Sequence, residues 1–335
     1  MKLKLQSTPK FYIVFFCLLL LTLVLQEKFF LDILVMTFLW AAVAGAWNIT
    51  GGYAGQFSLG HAGFLGIGAY TSTILYLNFA ISPWIGMLIG GLIATGFAYF
   101  ISILCLRLKG PFYTLATIAF AELVFISTTQ LRGLTEGAMG LSIPYEPSFT
   151  NLIFAETKTY AILTFVFMVV VYLISSYIKN SKTGYYLIAI REDADASQSL
   201  GINIKSLKTF GACISAFLTA VGGSLLASYL LFIEPENLLG LPISIKIAMI
   251  AIVGGMNSPA GPIIGSILLT PLEIFLRGYT TEVAGLHLFC FGLILILVVL
   301  YKPNGLVDGA DKWLAKFKPV TRNGGKANVK RIRAS

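Results

Sequence analysis

From Ile33 to Leu106 the chain runs for 74 residues without one Asp, Glu, Lys or Arg. A helix needs only about 20 apolar residues to cross roughly 30 Å of hydrocarbon, so this window must hold three or more spans. Over all 335 residues, 57% are hydrophobic and 12% charged, whereas soluble domains carry about 25% charged residues. That excludes most soluble enzymes. A transmembrane barrel is written in segments of about 10 residues that alternate apolar and polar, and the apolar runs here are continuous. The reading is an all-α polytopic membrane protein.

Apolar runs read against turn and charge punctuation place about ten transmembrane helices near 11–25, 33–50, 57–77, 84–106, 111–131, 159–178, 209–232, 243–256, 261–279 and 285–301. The run 243–256 is short and ends in glycine, as a broken or tilted helix would. Ten spans put both termini on one side, and the basic residues test that parity, because loops on the cytoplasmic side are enriched in Lys and Arg. Lys2, Lys4, Lys10, Arg107, Lys109, Lys179, Lys182, Arg191, Lys205, Lys208, Lys302 and eight in the tail share one side, 19 of the 24. Lys28, Arg132, Lys158, Lys246 and Arg277 make up the other 5. The net charge of +9 is therefore an orientation signal, with both termini expected in the cytoplasm. The expected organisation is a cytoplasmic tail (1–10), a transmembrane domain (11–301) with a cytoplasmic loop (179–208), and a basic cytoplasmic tail (302–335). That last tail is suited to anionic membrane lipid; no nucleic acid partner is expected.

The run Phe11–Leu25 behind three lysines also has the outline of a signal peptide, but it ends in Gln26-Glu27-Lys28 without a small-residue cleavage site. An uncleaved first helix is expected. Cys17, Cys105, Cys213 and Cys290 are scattered singly through apolar spans and the chain has two histidines, so neither a disulfide framework nor a metal site is expected, and no cofactor is called for.

Two hydrophilic segments interrupt the bundle. Arg132–Lys158, on the outer side by parity, holds Thr135-Glu136-Gly137 and Gly140-Leu141 and reads as an ordered loop. Lys179–Lys208, on the inner side, contains Arg191-Glu192-Asp193-Ala194-Asp195-Ala196-Ser197 and then Gly201, which reads as a short acidic helix stopped by a glycine. A charged, small-residue helix between two spans is either a docking element for a cytoplasmic partner or a solvated connector.

Glycine clusters at Gly51–Gly63 and again at Gly254–Gly265. Backbone freed by helix breaks is tolerated at membrane depth only against protein or a water-filled cavity, so two such breaks point to a translocation pathway; for any single glycine, as in Gly86-x-x-x-Gly90, tight packing is the plainer reading. Ionisable groups inside spans are the second pointer. Glu122 lies in mid-span and His61 among the glycines. Glu273 stands four residues before Arg277, its expected partner, and Lys246 is near a span end and expected to snorkel. A mid-membrane carboxylate serves either a proton relay or a structural hydrogen bond between helices. There is no G-x-x-x-x-G-K-[ST], H-E-x-x-H, G-x-S-x-G, arginine ladder or potassium-filter motif.

Together these segments resemble the permease subunits of branched-chain amino acid ABC importers, the LivM-type relatives of LivH permeases, from about Trp47 to Leu306. The carriers are Gly52-Tyr53-Ala54-Gly55-Gln56-Phe57-Ser58-Leu59-Gly60-His61-Ala62-Gly63-Phe64, Lys109-Gly110-Pro111-Phe112-Tyr113-Thr114-Leu115-Ala116-Thr117, the Thr135–Leu141 segment, Arg191 to Gly201, and Val253-Gly254-Gly255-Met256-Asn257-Ser258-Pro259-Ala260-Gly261-Pro262.

The resemblance implies a transport subunit of a bacterial plasma membrane without its own ATPase site. Its implied partners are two ABC ATPase subunits, a second LivH-type permease and a periplasmic or lipid-anchored binding protein, with Leu, Ile and Val as solutes. Aligned on Gly201, the ABC docking motif E-A-A-x-x-x-G falls on Asp195, Ala196 and Ser197, a conservative match that lacks the usual following I-x-L-P. Coupling to the ATPase is thus expected at Arg191, Glu192, Asp193, Ala194, Asp195, Ala196, Ser197 and Gly201. The alternating-access pathway is expected along Gly51, Gly52, Gln56, Ser58, Gly60, His61, Thr114, Thr117, Glu122, Gly254, Gly255 and Asn257. Permeases for urea or short-chain amides are the near alternative, and an ion-coupled transporter with a titrating Glu122 or His61 the more distant one. A membrane enzyme lacks a metal or nucleophile constellation.

Overall fold

The computed structural model describes residues 9–105, 108 and 110–279, with isolated positions between 289 and 307. Its helices are α1 (Pro9–Val24), α2 (Lys28–Asn48), α3 (His61–Phe79), α4 (Pro83–Cys105), α5 (Pro111–Gln130), α6 (Arg132–Thr135), α7 (Thr157–Lys179), α8 (Lys182–Glu192), α9 (Ala194–Ser199), α10 (Ile204–Leu230), α11 (Pro235–Leu239), α12 (Leu241–Gly254) and α13 (Gly261–Tyr279). A helix occupies each expected place from 11–25 through 261–279. The tenth, near 285–301, and both tails lie almost wholly outside the described residues.

Among the described residues, six stretches are long and apolar enough to cross a membrane: Lys28–Tyr53, Pro83–Cys105, Pro111–Gln130, Thr157–Lys179, Ile204–Leu230 and Pro235–Gly254. The chain is therefore an all-α, multi-pass membrane protein by length and composition. Two of these stretches are composite. α2 continues through a π-helical turn, Ile49–Tyr53, and α12 is preceded by α11, which accounts for the shortness of the 243–256 run.

α10 is the central post. It packs on α3, α4 and α2, while α2 also packs on α7 and α13. Small residues set these distances: a Cβ on Gly68 would land on the carbonyl of Ala220, and one on Gly223 on the carbonyl of Leu65. With no hydrophobic drive between helices in lipid, close backbone approach and hydroxyl bonds supply the association. Accordingly Ser224 Oγ donates to Gly68 O (2.9 Å) and Ser215 Oγ to Ala46 O (2.7 Å). Tyr53 Oη meets Ser175 Oγ at 2.8 Å, and Ser266 Oγ donates to Thr37 O at 2.7 Å.

The hydrogen bonds define two ends. At one, Lys158 Nζ donates to Leu23 O (2.8 Å) and Trp84 Nε1 to Phe149 O (2.8 Å). There β1 (Leu141–Ser142) pairs antiparallel with β2 (Phe232–Ile233), Leu141 opposite Ile233. This ladder orders the Arg132–Lys158 segment. The other end gathers the residues after α2, the start of α5, the helices α8 and α9 and the turn after α12.

One expected contact is corrected. The Lys246 ammonium, expected to reach a solvent interface, sits instead between Glu273 (2.6 Å) and the Trp40 ring, 4.2 Å from the ring centroid. The side chain of Arg277, the partner expected for Glu273, lies outside the described residues. Inside a low-dielectric bundle a facing opposite charge holds an ammonium more strongly than it would at a wet surface.

Candidate functional site

At the end that carries α8 and α9 the two glycine-rich breaks meet. Gly52 lies so close to the turn after α12 that a Cβ there would strike Met256 O, and Asn48 Nδ2 donates to Ser258 O at 3.1 Å. Arg191, at the end of α8, joins both breaks: its Nη1 donates to Gly52 O (2.8 Å) and to Asn257 Oδ1 (2.5 Å), and its Nη2 pairs with Glu192 Oε1 (2.5 Å). Lys179 Nζ donates to Asn257 O. Residues from four separate segments are thus held by one guanidinium and one ammonium, on the Asn257 side-chain oxygen and on the backbone oxygens of Gly52 and Asn257, which regular helices would have satisfied internally.

His61, the first residue of α3, is buried. Its Nε2 lies 2.8 Å from Ser215 Oγ, whose proton is committed to Ala46 O, so Nε2 carries the hydrogen. Its Nδ1 lies 3.2 Å from Ser58 Oγ and accepts from it. That is a fully satisfied neutral imidazole, a joint between α3, α10 and the break. Ser58 O in turn accepts from Trp47 Nε1 at 2.7 Å. Thr117 Oγ1 accepts from Leu59 N (3.0 Å) and Thr114 Oγ1 donates to Phe57 O (2.8 Å), which stitches α5 to the break. Gly51 is packed under the Trp47 indole, Gly60 on Thr117 O, and Gly254 on Gly261 O; Gly255 takes φ +120° at the end of α12.

A cavity of about 760 Å³ opens beside this joint. Gln56 lines it from the break, Thr114 from α5, Arg191, Asp195 and Gln198 from the α8–α9 segment, and Lys205 from α10. The Gln56 side chain is buried, and among the described residues its Oε1 has no hydrogen-bond partner.

The acidic segment differs from a single short helix. The chain breaks at Asp193, whose Oδ1 caps α9 by accepting from Ala196 N at 2.9 Å. α9 then ends in a Schellman turn, with Gly201 at φ +83°, Gly201 N bonded to Gln198 O (2.9 Å) and Ile202 N to Ser197 O (3.1 Å). Glu192, Asp193, Asp195 and Ala196 are exposed, Ala194 is half-buried and Ser197 is buried. Leu200 is 82% exposed at the tip, an apolar knob that the sequence reading did not single out.

Glu122 stands apart from all of this. It faces outward from α5, in one stripe with Phe112, Leu115, Ala119, Leu123 and Ile126, and among the described residues it has no hydrogen-bonding or ionic partner.

The family model for the branched-chain amino acid transport system / permease component matches residues 29–299. The chain belongs to that family. The LivM permease of the high-affinity branched-chain amino acid transport system of Escherichia coli K12 is 25% identical over 82% of this chain and 69% of its own length. A probable LivM permease of Methanocaldococcus jannaschii is 22% identical over 83% of this chain and 94% of its own, and the LivH permease of Salmonella typhimurium 24% identical over 80% and 91%. No solved structure matches. This permease thus carries the residues of its two glycine-rich motifs where four segments converge, while the Thr135–Leu141 motif lies at the opposite end. Trp47, Lys179 and Ser215 complete that joint, and sequence reasoning missed them. Only Ser215 left a trace, in its spacing with Thr219 and Gly222–Gly223 on one face of α10.

Proposed function

We propose that this permease forms half of the transmembrane pathway of an ATP-driven importer of branched-chain amino acids in a bacterial plasma membrane. It has ten spans and both termini in the cytoplasm. The observation that carries the reading is the Arg191 bridge. It ties the α8–α9 segment to both glycine breaks, so that a partner ATPase pulling on α9, through Asp195 and the Leu200 knob, moves Gly52 and Asn257 together and reshapes the adjoining cavity. Small residues along Gly51–Gly60 and Gly254–Asn257, with Gln56, Thr114 and Thr117, border the path of the solute beside that cavity. Alternating access needs such a two-state element.

The open face of α5 meets the second permease. An ionised carboxylate in mid-bilayer costs about 3 kcal/mol against lipid on insertion scales, which favours protein or a wet pathway around Glu122. A binding protein delivers solute at the end bearing β1 and β2.

The test is uptake by proteoliposomes that hold this chain with its second permease, ATPases and binding protein. Leucine uptake that requires ATP is expected. Uptake of leucine by this chain alone on an ion gradient would refute the ABC reading, and ATP-driven uptake of urea or a short-chain amide in place of leucine would refute the solute.

A further inference from the structure

Away from the glycine joint, near the end that carries the β ladder, lies a second cavity of about 310 Å³, walled by α2, α10, α11, α12 and α13. Such a volume stands at the lower bound of small-molecule sites, about 300–1,000 Å³. Its polar face is the Lys246–Glu273 pair, 2.6 Å apart with side chains only 15% and 14% exposed, set against the Trp40 ring. Its apolar face is Met36, Leu226, Leu230 and Ile243.

We propose that this cavity is a low-affinity receiving site for a free zwitterionic amino acid with an aliphatic side chain. The ammonium goes to Glu273 and the carboxylate to Lys246. Charge balance argues for this class. An anion or a cation entering here leaves one protein charge unpaired in a poorly solvated site, which is costly. A zwitterion replaces one ion pair by two and leaves the net charge unchanged, while the Met36–Leu226–Leu230–Ile243 wall takes an aliphatic chain. The proposal rests on the amino acid reading above and deepens it by placing a solute site on this chain rather than on the binding protein alone. A zwitterionic lipid headgroup shares the ammonium-plus-anion chemistry, so the test separates the two.

The experiment is equilibrium binding of radiolabelled leucine to the purified complex of both permeases and ATPases without binding protein. Saturable binding in the millimolar range is expected, displaced by isoleucine and valine but not by isovalerate, which lacks the ammonium, or isoamylamine, which lacks the carboxylate. Glu273→Gln should weaken binding by roughly tenfold or more. So should the doubly apolar K246M/E273L variant, which removes the pair without orphaning a charge. Leu230→Trp leaves the pair intact and crowds the aliphatic wall, and should weaken leucine more than alanine, a selectivity change that a purely structural ion pair would not produce. Absent binding, unchanged binding in these variants, or displacement by glycerophosphoethanolamine with no displacement by valine overturns the proposal. If the wild-type complex still imports leucine with ATP, only this site has failed; if it does not, the amino acid reading has failed.

Discussion

α4 and α5 are both exposed helices, and their outward faces differ in a single charged residue. Only 33% of the apolar window of α4 and 28% of that of α5 is buried within the chain, against 78% for α10, so each turns most of its surface outward. The outward residues of α4 include Leu88, Leu92, Phe97, Phe100, Ile103 and Leu104 and carry no charge. That face suits lipid. The outward residues of α5 are similar in size, Phe112, Leu115, Leu123 and Ile126, but Glu122 lies among them. Exposure in an isolated chain therefore has two meanings. The carboxylate, not the hydrophobicity, separates the α4 face from the α5 face, where we propose a protein partner.

Moving the charge gives the largest expected effect. Leu92→Glu puts a carboxylate on the lipid face of α4 at about 3 kcal/mol, and membrane-inserted protein, quantified by immunoblot of the washed membrane fraction, should fall several-fold. Equal abundance would erase the distinction between the two faces. Next comes a variant remote from both. Gly201 holds φ +83° with open space where a Cβ would project, so Gly201→Val strains the backbone at about 1–2 kcal/mol without a clash. ATP hydrolysis should persist while uptake drops, with assembly of the complex unchanged; wild-type uptake would remove α9 from the coupling path. Smaller is Glu122→Leu, which should leave insertion intact but reduce co-purification of the second permease or uptake, with Glu122→Gln closer to wild type, as expected for an interhelical hydrogen bond of about 1 kcal/mol. Smallest is a pair of truncations: Phe112→Ala should lower complex recovery, whereas Phe100→Ala should change it within measurement error.

The positions of nine of the ten expected helices were legible because continuous apolar runs are long compared with most loops, and both glycine clusters were legible as helix breaks; that the two breaks meet was not, because local composition says nothing of which segments become neighbours. What α5 faces was not. Its apolar residues surround the helix, so no polar stripe marks an outside, and packing against neighbours such as α3, α11 and α12 decides where Glu122 points. Ion-pair partners were equally hidden. α12 brings Lys246 to within 2.6 Å of Glu273 on α13, and the order in which helices neighbour one another is not written in local spacing. The break at Asp193 was missed for a related reason: the acidic run looks helical throughout, and the cap that divides it depends on one side chain turning back to Ala196 N.

The central claim, that the α5 face belongs to a two-permease pathway, is tested most directly by spin labels at Leu115, Ala119 and Leu123 on α5 and at Leu92 and Phe100 on α4, with collision rates to oxygen measured in bilayers. The account predicts that assembly with the second permease lowers oxygen accessibility at the three α5 sites and leaves the two α4 sites lipid-like. Lipid-like accessibility at the α5 sites in the assembled, transport-competent complex would contradict it.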